Sequence, residues 1–159
     1  MKDTENEFIK QLHLLNIYKR YIVDRRLEER GIYFGQPPIL RVLSERPNAT
    51  QRQIAEELHI SPASIAVSVK RMEKSGMISR QTDVADARRN NLSLTEKGKE
   101  LNSFAKNTFD SVDEAMLSGF SEEELEYMLK IIKRMNYNVL SVMPENSRRS
   151  FKEKEEKNA

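Results

Sequence analysis

The stretch Thr50–Gly76, TQRQIAEELHISPASIAVSVKRMEKSG, decides the fold of this chain. Thr50 followed by Gln53 is a capping-box pattern, in which two side chains satisfy free amides at a helix start. Ser61 followed by Pro62 is a second start signal, an N-cap before a proline in the first turn. Apolar spacing gives each helix one buried face, formed by Ile54, Ala55 and Leu58 in the first and by Ile65, Val69 and Met72 in the second. Two short helices with so brief a turn between them predict a helix-turn-helix.

The residues that follow predict a β-hairpin. Residues 77–82 and 91–94 have the character of two strands, and a long polar loop separates them. Thr95 can then cap the next helix. A helix-turn-helix followed by a hairpin is the element order of a winged helix. Such a fold suits DNA, because a helix fits the major groove and a basic loop can enter the minor groove.

Helical periodicity extends on both sides of this centre. A long helix is predicted before Gly31, and a short one carries Ile39, Leu40 and Leu43. Beyond Thr95 a fifth helix is predicted. A sixth starts at a Ser121–Glu124 capping box and carries a heptad seam of Leu125, Met128, Ile132, Met135, Val139 and Val142. The fold class is therefore mainly α (α+β).

These elements divide the sequence into four parts. We predict an N-terminal dimerisation helix in residues 1–34, a winged helix-turn-helix in residues 35–98, and C-terminal dimerisation helices in residues 99–143. Residues 144–159 form a charged tail, nearly free of apolar residues, which is predicted to be disordered.

The composition excludes several classes of protein. The 159 residues contain no Cys, which excludes disulfides, thiolate metal sites and cysteine nucleophiles. His13 and His59 are the two histidines, so no histidine metal site is expected, and no catalytic, phosphate-loop or zinc-ligand pattern occurs. We predict no enzyme activity, no cofactor and no metal. The N-terminus is acidic and polar, and no apolar run reaches the length of a membrane span, so a soluble, cytoplasmic protein is predicted.

The charges are unevenly distributed. The formal net charge is only +2, yet residues 50–95 contain seven basic side chains against five acidic ones, whereas residues 96–143 contain six against nine. This asymmetry indicates that any anionic partner would bind the middle of the chain.

Three segments carry a resemblance to a known family. They are IAEELHISPASI at 54–65, VKRMEKSGMISR at 69–80 and DARRNNLSLTEKG at 86–98. The last has Asp-x-Arg, three free positions and then Leu-x-Leu-Thr. With these segments, the run from Gln36 to Leu101 resembles the MarR family of winged-helix transcriptional regulators.

The resemblance implies a homodimeric, sequence-specific regulator, with repression expected, that binds a pseudo-palindromic double-stranded DNA operator. Arg88 matches the arginine that enters the minor groove, and Asp86 matches the acid that orients it. Arg89 has no such place in the motif, and we assign it to a phosphate contact. Helix N-termini suit phosphate as well, which adds Thr50, Gln51, Gln53 and Ser61. The outward residues of the second helix would face base edges: Ala63, Ser64, Ala66, Val67 and Lys70. Because that face is small and apolar, thymine methyls and hydroxyl bonds from Ser64 are expected there rather than bidentate guanine recognition.

The family also implies control by a small molecule, often aromatic or phenolic, that weakens operator binding. For this effector we name a candidate pocket of Tyr18, Tyr33, Phe34 and Ile39. An alternative keeps the fold without the DNA, since winged helices also serve as protein-docking modules. The modest net charge and the apolar outer face leave that alternative open.

Overall fold

The structure is a computed structural model that describes residues 2–82, 90–145 and 148. The helices in these residues are α1 (Asp3–Glu28), α2 (Gln36–Glu45), α3 (Gln51–Leu58), α4 (Pro62–Lys74), α5 (Glu96–Leu117) and α6 (Glu122–Ser141). The strands are β1 (Ala49–Thr50), β2 (Ile78–Thr82) and β3 (Asn90–Leu94). The chain divides into two units, Met1–Met116 and Leu117–Ala159. The predicted fold class, a mainly helical winged helix, is confirmed.

A small antiparallel sheet has strand order β1-β3-β2, and along the chain β1 precedes the helix-turn-helix while β2 and β3 follow it. Ile78 pairs with Leu94 across the hairpin, and Ala49 pairs with Leu92 on the other edge of β3. The two hairpin strands were predicted to within one residue at each start. The sequence prediction omitted β1, because two residues are too few to show alternation and β1 forms only where β3 offers a free edge.

The core of the first unit joins α2, α3, α4 and the sheet. On α4 the predicted inward residues Ile65, Val69 and Met72 are each at most 1 % exposed. On α3 Ile54 and Ala55 are buried as predicted, whereas Leu58 is only half-buried. Each fully buried aliphatic side chain contributes about 1.5–3 kcal/mol relative to an exposed one. This burial fixes the rotation of α4 about its axis, and so determines which of its residues face solvent.

The turn between α3 and α4 depends on a left-handed residue. His59 has φ 52° and ψ 39°, and the amide of Ile60 donates to the carbonyl of Ala55 at 3.1 Å. Histidine enters this region more readily than bulky or β-branched residues do. His59 therefore completes the turn between α3 and α4 in this conformation.

The long helix α1 buries little of its apolar surface. Within α1 only Val23 and Leu27 are buried. Seven other large apolar side chains are exposed: Phe8, Ile9, Leu15, Ile17, Tyr18, Tyr21 and Ile22.

In the second unit, α6 starts at the predicted capping box. The amide of Ser121 donates to the carboxylate of Glu124 at 2.8 Å, and the amide of Glu124 donates to Ser121 Oγ at 3.3 Å. No residue of α6 is buried, and Ile132 of the heptad seam is 41 % exposed. Most of the predicted tail, residues 146–147 and 149–159, lies outside the described residues. None of the described helices combines the length and hydropathy that crossing a bilayer requires.

Candidate nucleic-acid interface

The outer face of α4 is exposed, because the opposite face of the helix is buried in the core. Ala63, Ser64, Ala66, Val67 and Lys70 are all exposed, and Val67 retains 54 % of its accessible surface. The structure therefore brings together on one surface the five residues assigned to base edges.

Ser61 caps the N-terminus of α4. Its Oγ accepts from the amide of Ser64 at 3.2 Å and lies 2.8 Å from the Ser64 hydroxyl. This pair uses one of the two hydroxyl hydrogens, so one remains to donate outward. The predicted cap is confirmed, and the Ser64 hydroxyl is partly engaged by it.

Thr50 and Gln53 form the predicted capping box at the start of α3. The amide of Gln53 donates to Thr50 Oγ1 at 3.3 Å, and the amide of Thr50 donates to Gln53 Oε1 at 2.9 Å. Gln51, the first residue of α3, is half-buried. The amide oxygen of Gln53 is thus already occupied, which leaves its amino group for an external acceptor.

A junction between the end of α4 and the start of α5 was not predicted in full. Thr95 Oγ1 accepts from the amide of Gly98 at 3.1 Å, which confirms the predicted cap. The same hydroxyl lies 2.6 Å from the carbonyl of Gly76, to which it donates. Lys97 Nζ donates to the carbonyl of Ser75 at 2.8 Å. These bonds hold the C-terminal end of α4 against the first turn of α5. The sequence Thr95-Glu96-Lys97-Gly98 predicts the cap, whose partners are neighbours, but not the bonds to Ser75 and Gly76, which are distant in the chain.

An ion pair joins α4 to the hairpin. Arg80 Nε and Nη2 donate to the two carboxylate oxygens of Glu73 at 2.8 and 2.9 Å. These hydrogen bonds from Arg80 lower the pKa of Glu73, against a smaller opposing effect of burial. Arg80 is therefore committed to the fold, although it was counted among the basic side chains of the central segment.

The Glu73–Arg80 pair predicts a pH dependence of stability. Because the pKa of Glu73 is lowered in the folded state, its contribution is present above the ordinary glutamate pKa and is lost as pH falls through the lowered value. We expect Glu73→Gln to reduce the free energy of unfolding by about 1 kcal/mol at pH 7 and by progressively less below about pH 4. Urea unfolding of the wild-type protein and of Glu73→Gln, from pH 7 to below about pH 4, measures this difference in the free energy of unfolding. A difference that stays constant with pH would contradict the assignment.

The predicted wing residues Asp86, Arg88 and Arg89 lie outside the described residues, in the segment 83–89 that connects β2 to β3. The last described pair of the hairpin is Thr82 with Asn90.

A cavity of about 400 Å³ lies beside α1. Much of its lining is apolar and comes from α1, the start of α2, the helix-turn-helix and α5: Val23, Leu27, Phe34, Pro38, Ile60 and Phe109. The Arg20 guanidinium stacks on the Phe34 ring, 4.5 Å from its centroid. The cavity therefore combines apolar walls with a cation at its rim.

Only one of the four residues named for an effector pocket lines this cavity. That residue is Phe34. Tyr18 and Tyr33 are exposed, and Ile39 is only 1 % exposed because its side chain belongs to the core. The structure does not bring these four residues together around the cavity.

Comparison with known proteins identifies a family whose members this chain resembles. A family model described as MarR family matches residues 26–89. A MarR transcriptional regulator from Methanosarcina mazei Go1 is 28 % identical, with a TM-score of 0.68 and coverage of 86 % of this chain and 99 % of that chain. The S. aureus MepR–DNA complex is 26 % identical (TM-score 0.69, coverage 82 % and 97 %). The transcriptional regulator SlyA is also 26 % identical (TM-score 0.67, coverage 83 % and 93 %). With its helix-turn-helix, hairpin and flanking helices, this chain is similar to the MarR family of winged helix-turn-helix transcriptional regulators, which confirms the resemblance that the sequence predicted.

Proposed function

We propose that this protein is a homodimeric repressor that binds a pseudo-palindromic double-stranded DNA operator with α4 in the major groove. The observation that carries the proposal is the orientation of α4, whose inner face is buried in the core while its five outer residues are exposed. An α-helix fits the major groove, and base edges are read from there. The similar MepR has been solved in complex with DNA, which supports this use of the fold.

Electrostatics supports the same docking. Lys70, Arg71 and Lys74 of α4 have no ion-pair partner among the described residues, so their charges are available to phosphates. The N-termini of α3 and α4 would approach the backbone with the residues already named for it, Thr50, Gln51, Gln53 and Ser61. In this arrangement phosphate contacts position the protein, and the centre of α4 reads sequence.

The homodimer rests on apolar surface that the single chain leaves uncovered. α1 exposes seven large apolar side chains, and α6 carries a heptad seam without one buried residue. Long helices of this kind pair to bury such seams. Two-fold symmetry then places two copies of α4 about 34–36 Å apart, in successive major grooves.

The cavity beside α1 supports release by a small apolar effector, of aromatic character because Phe34 and Phe109 line it. A ligand that prefers a dimer with the wrong α4 spacing weakens operator binding by differential affinity. The effector step is tested by adding phenolic compounds to the protein–operator complex. Retention of the complex at every concentration would contradict release.

The test of DNA binding is selection of bound sequences from a random duplex pool, followed by a salt titration on the selected duplex. We expect a two-fold symmetric site, and an affinity that falls linearly on logarithmic axes as counterions are released. A protein that shifts no duplex at any salt concentration would contradict DNA binding. That result would favour the alternative, a winged helix that docks a protein.

Arg88→Ala is expected to weaken operator binding by roughly tenfold while leaving fold and dimer mass unchanged, since it removes a cation from the minor groove. Arg89→Ala is the matched control, because it removes the same charge from the neighbouring position and should cost less. Fluorescence anisotropy on the selected duplex measures both variants. Wild-type affinity in Arg88→Ala would exclude the wing assignment.

A further inference from the structure

The exposed centre of α4 lacks the side chains that recognise guanine or adenine. Arginine and lysine bind guanine in bidentate fashion, and asparagine and glutamine do so for adenine, whereas apolar side chains contact the methyl group of thymine. Between the Ser61 cap and Lys70, the exposed residues of α4 are Pro62, Ala63, Ser64, Ala66 and Val67. In a helix-turn-helix this N-terminal part of the recognition helix contacts base edges.

The polar groups near that centre are partly occupied within the protein. The Ser61 and Ser64 hydroxyls lie 2.8 Å apart and share one hydrogen. The Gln53 amide oxygen accepts from both the amide and the hydroxyl of Thr50, at 2.9 and 3.2 Å, which occupies both of its lone pairs. Hydrogen-bonded reading of adenine by both ends of the Gln53 amide is therefore excluded unless the capping box opens.

Val67 is the one large aliphatic residue at the centre of this face. It is 54 % exposed, whereas Val69, two positions along the same helix, is completely buried. Ala63 and Ala66 lie one turn or less away from Val67 on the exposed surface. Because their side chains are short, the isopropyl group of Val67 projects beyond them and the helix can approach the groove floor closely.

We infer that Val67 is a specificity-determining residue that selects thymine in each operator half-site by packing on its 5-methyl group. This inference rests on the proposed DNA binding and adds the base class that α4 recognises. Lys70, one turn further on, supplies charge at the same surface but no discrimination between thymine and uracil.

The test removes only the methyl group. Each thymine of the selected operator is replaced in turn by deoxyuridine, symmetrically in both half-sites, and the full-length protein and Val67→Ala are titrated on every duplex. For wild-type protein we expect one symmetric thymine pair at which the replacement weakens binding, by roughly 4-fold per methyl group and so roughly 15-fold for both. Val67→Ala should bind the thymine duplex more weakly and should bind the thymine and deoxyuridine duplexes equally at that pair.

Lys70→Ala serves as the matched control on the same helix face. It should weaken binding to both duplexes by the same factor and so retain the preference for thymine. The inference is overturned when wild-type protein is insensitive to deoxyuridine at every position, or when Val67→Ala keeps the full discrimination. If either result is obtained on a duplex whose binding depends strongly on salt, only the inference about Val67 is overturned and the proposed DNA binding stands. If the protein binds no duplex at all, the inference and the proposed function are both overturned.

Discussion

Replacing Gly98 with alanine should lower the stability of this protein by about 3 kcal/mol, as expected for the insertion of an atom into a packed junction. Gly98 lies in the first turn of α5, where an added Cβ would be 1.9 Å from the carbonyl oxygen of Met77. That oxygen belongs to the backbone and already accepts from the amide of Thr95 at 3.1 Å, so it cannot simply rotate away.

Helix propensity predicts the opposite sign for the same substitution. Alanine is the better helix former by up to about 1 kcal/mol, so an unobstructed Gly98→Ala would stabilise α5. Thermal unfolding decides between the two effects. We expect the midpoint to fall by roughly 6–12 °C, given about 2–4 °C per kcal/mol for a chain of this size. A higher midpoint would contradict the packing at this junction.

Lys99→Ala is a suitable control for Gly98→Ala. Lys99 is an exposed residue next in the chain, and its one ion pair in the described residues is with Glu96 at 2.7 Å. Surface pairs of this kind contribute less than about 1 kcal/mol. If Gly98→Ala loses stability and Lys99→Ala does not, the loss is due to the clash with Met77 and not to a general weakness of α5.

The second large effect is expected from Ile132→Glu, which should convert the dimer to a monomer. Ile132 lies at the centre of the heptad seam of α6 and is 41 % exposed in the single chain. Pairing of that seam would bury one glutamate from each protomer without a partner, which costs more than about 3 kcal/mol for each carboxylate. The dimer dissociation constant should therefore rise more than roughly a thousandfold.

Sedimentation velocity measures the mass of this variant, and circular dichroism checks that it remains helical. Tyr137→Glu is the matched control, since it introduces the same charge on the opposite side of α6 at a side chain that is 71 % exposed. Operator affinity should fall with the dimer, because a monomer contacts only one half-site and loses the effective concentration of the second. An unchanged dimer mass in Ile132→Glu would exclude this seam as the interface.

Local sequence signals predicted where the helices begin and turn. The capping boxes at Thr50 and Ser121 and the Ser61–Pro62 start all depend on residues within four positions of each other. Apolar spacing then predicted the buried face of α4, and with it the exposed residues that we assign to DNA. Such features follow from sequence because their partners are neighbours in the chain.

Only the tertiary structure shows which residues distant in the chain contact each other. The hydroxyl of Thr95 reaches the carbonyl of Gly76, 19 positions away, and β1 exists only because Ala49 pairs with Leu92. Likewise Ile39 is buried in the core while Phe34 lines the cavity beside α1, although the two lie five positions apart. Composition and spacing specify which residues can form a helix and which face can be buried. The packing of elements that are distant in the chain decides which surfaces meet. This packing also holds both ends of α4 in place and leaves its outer face exposed.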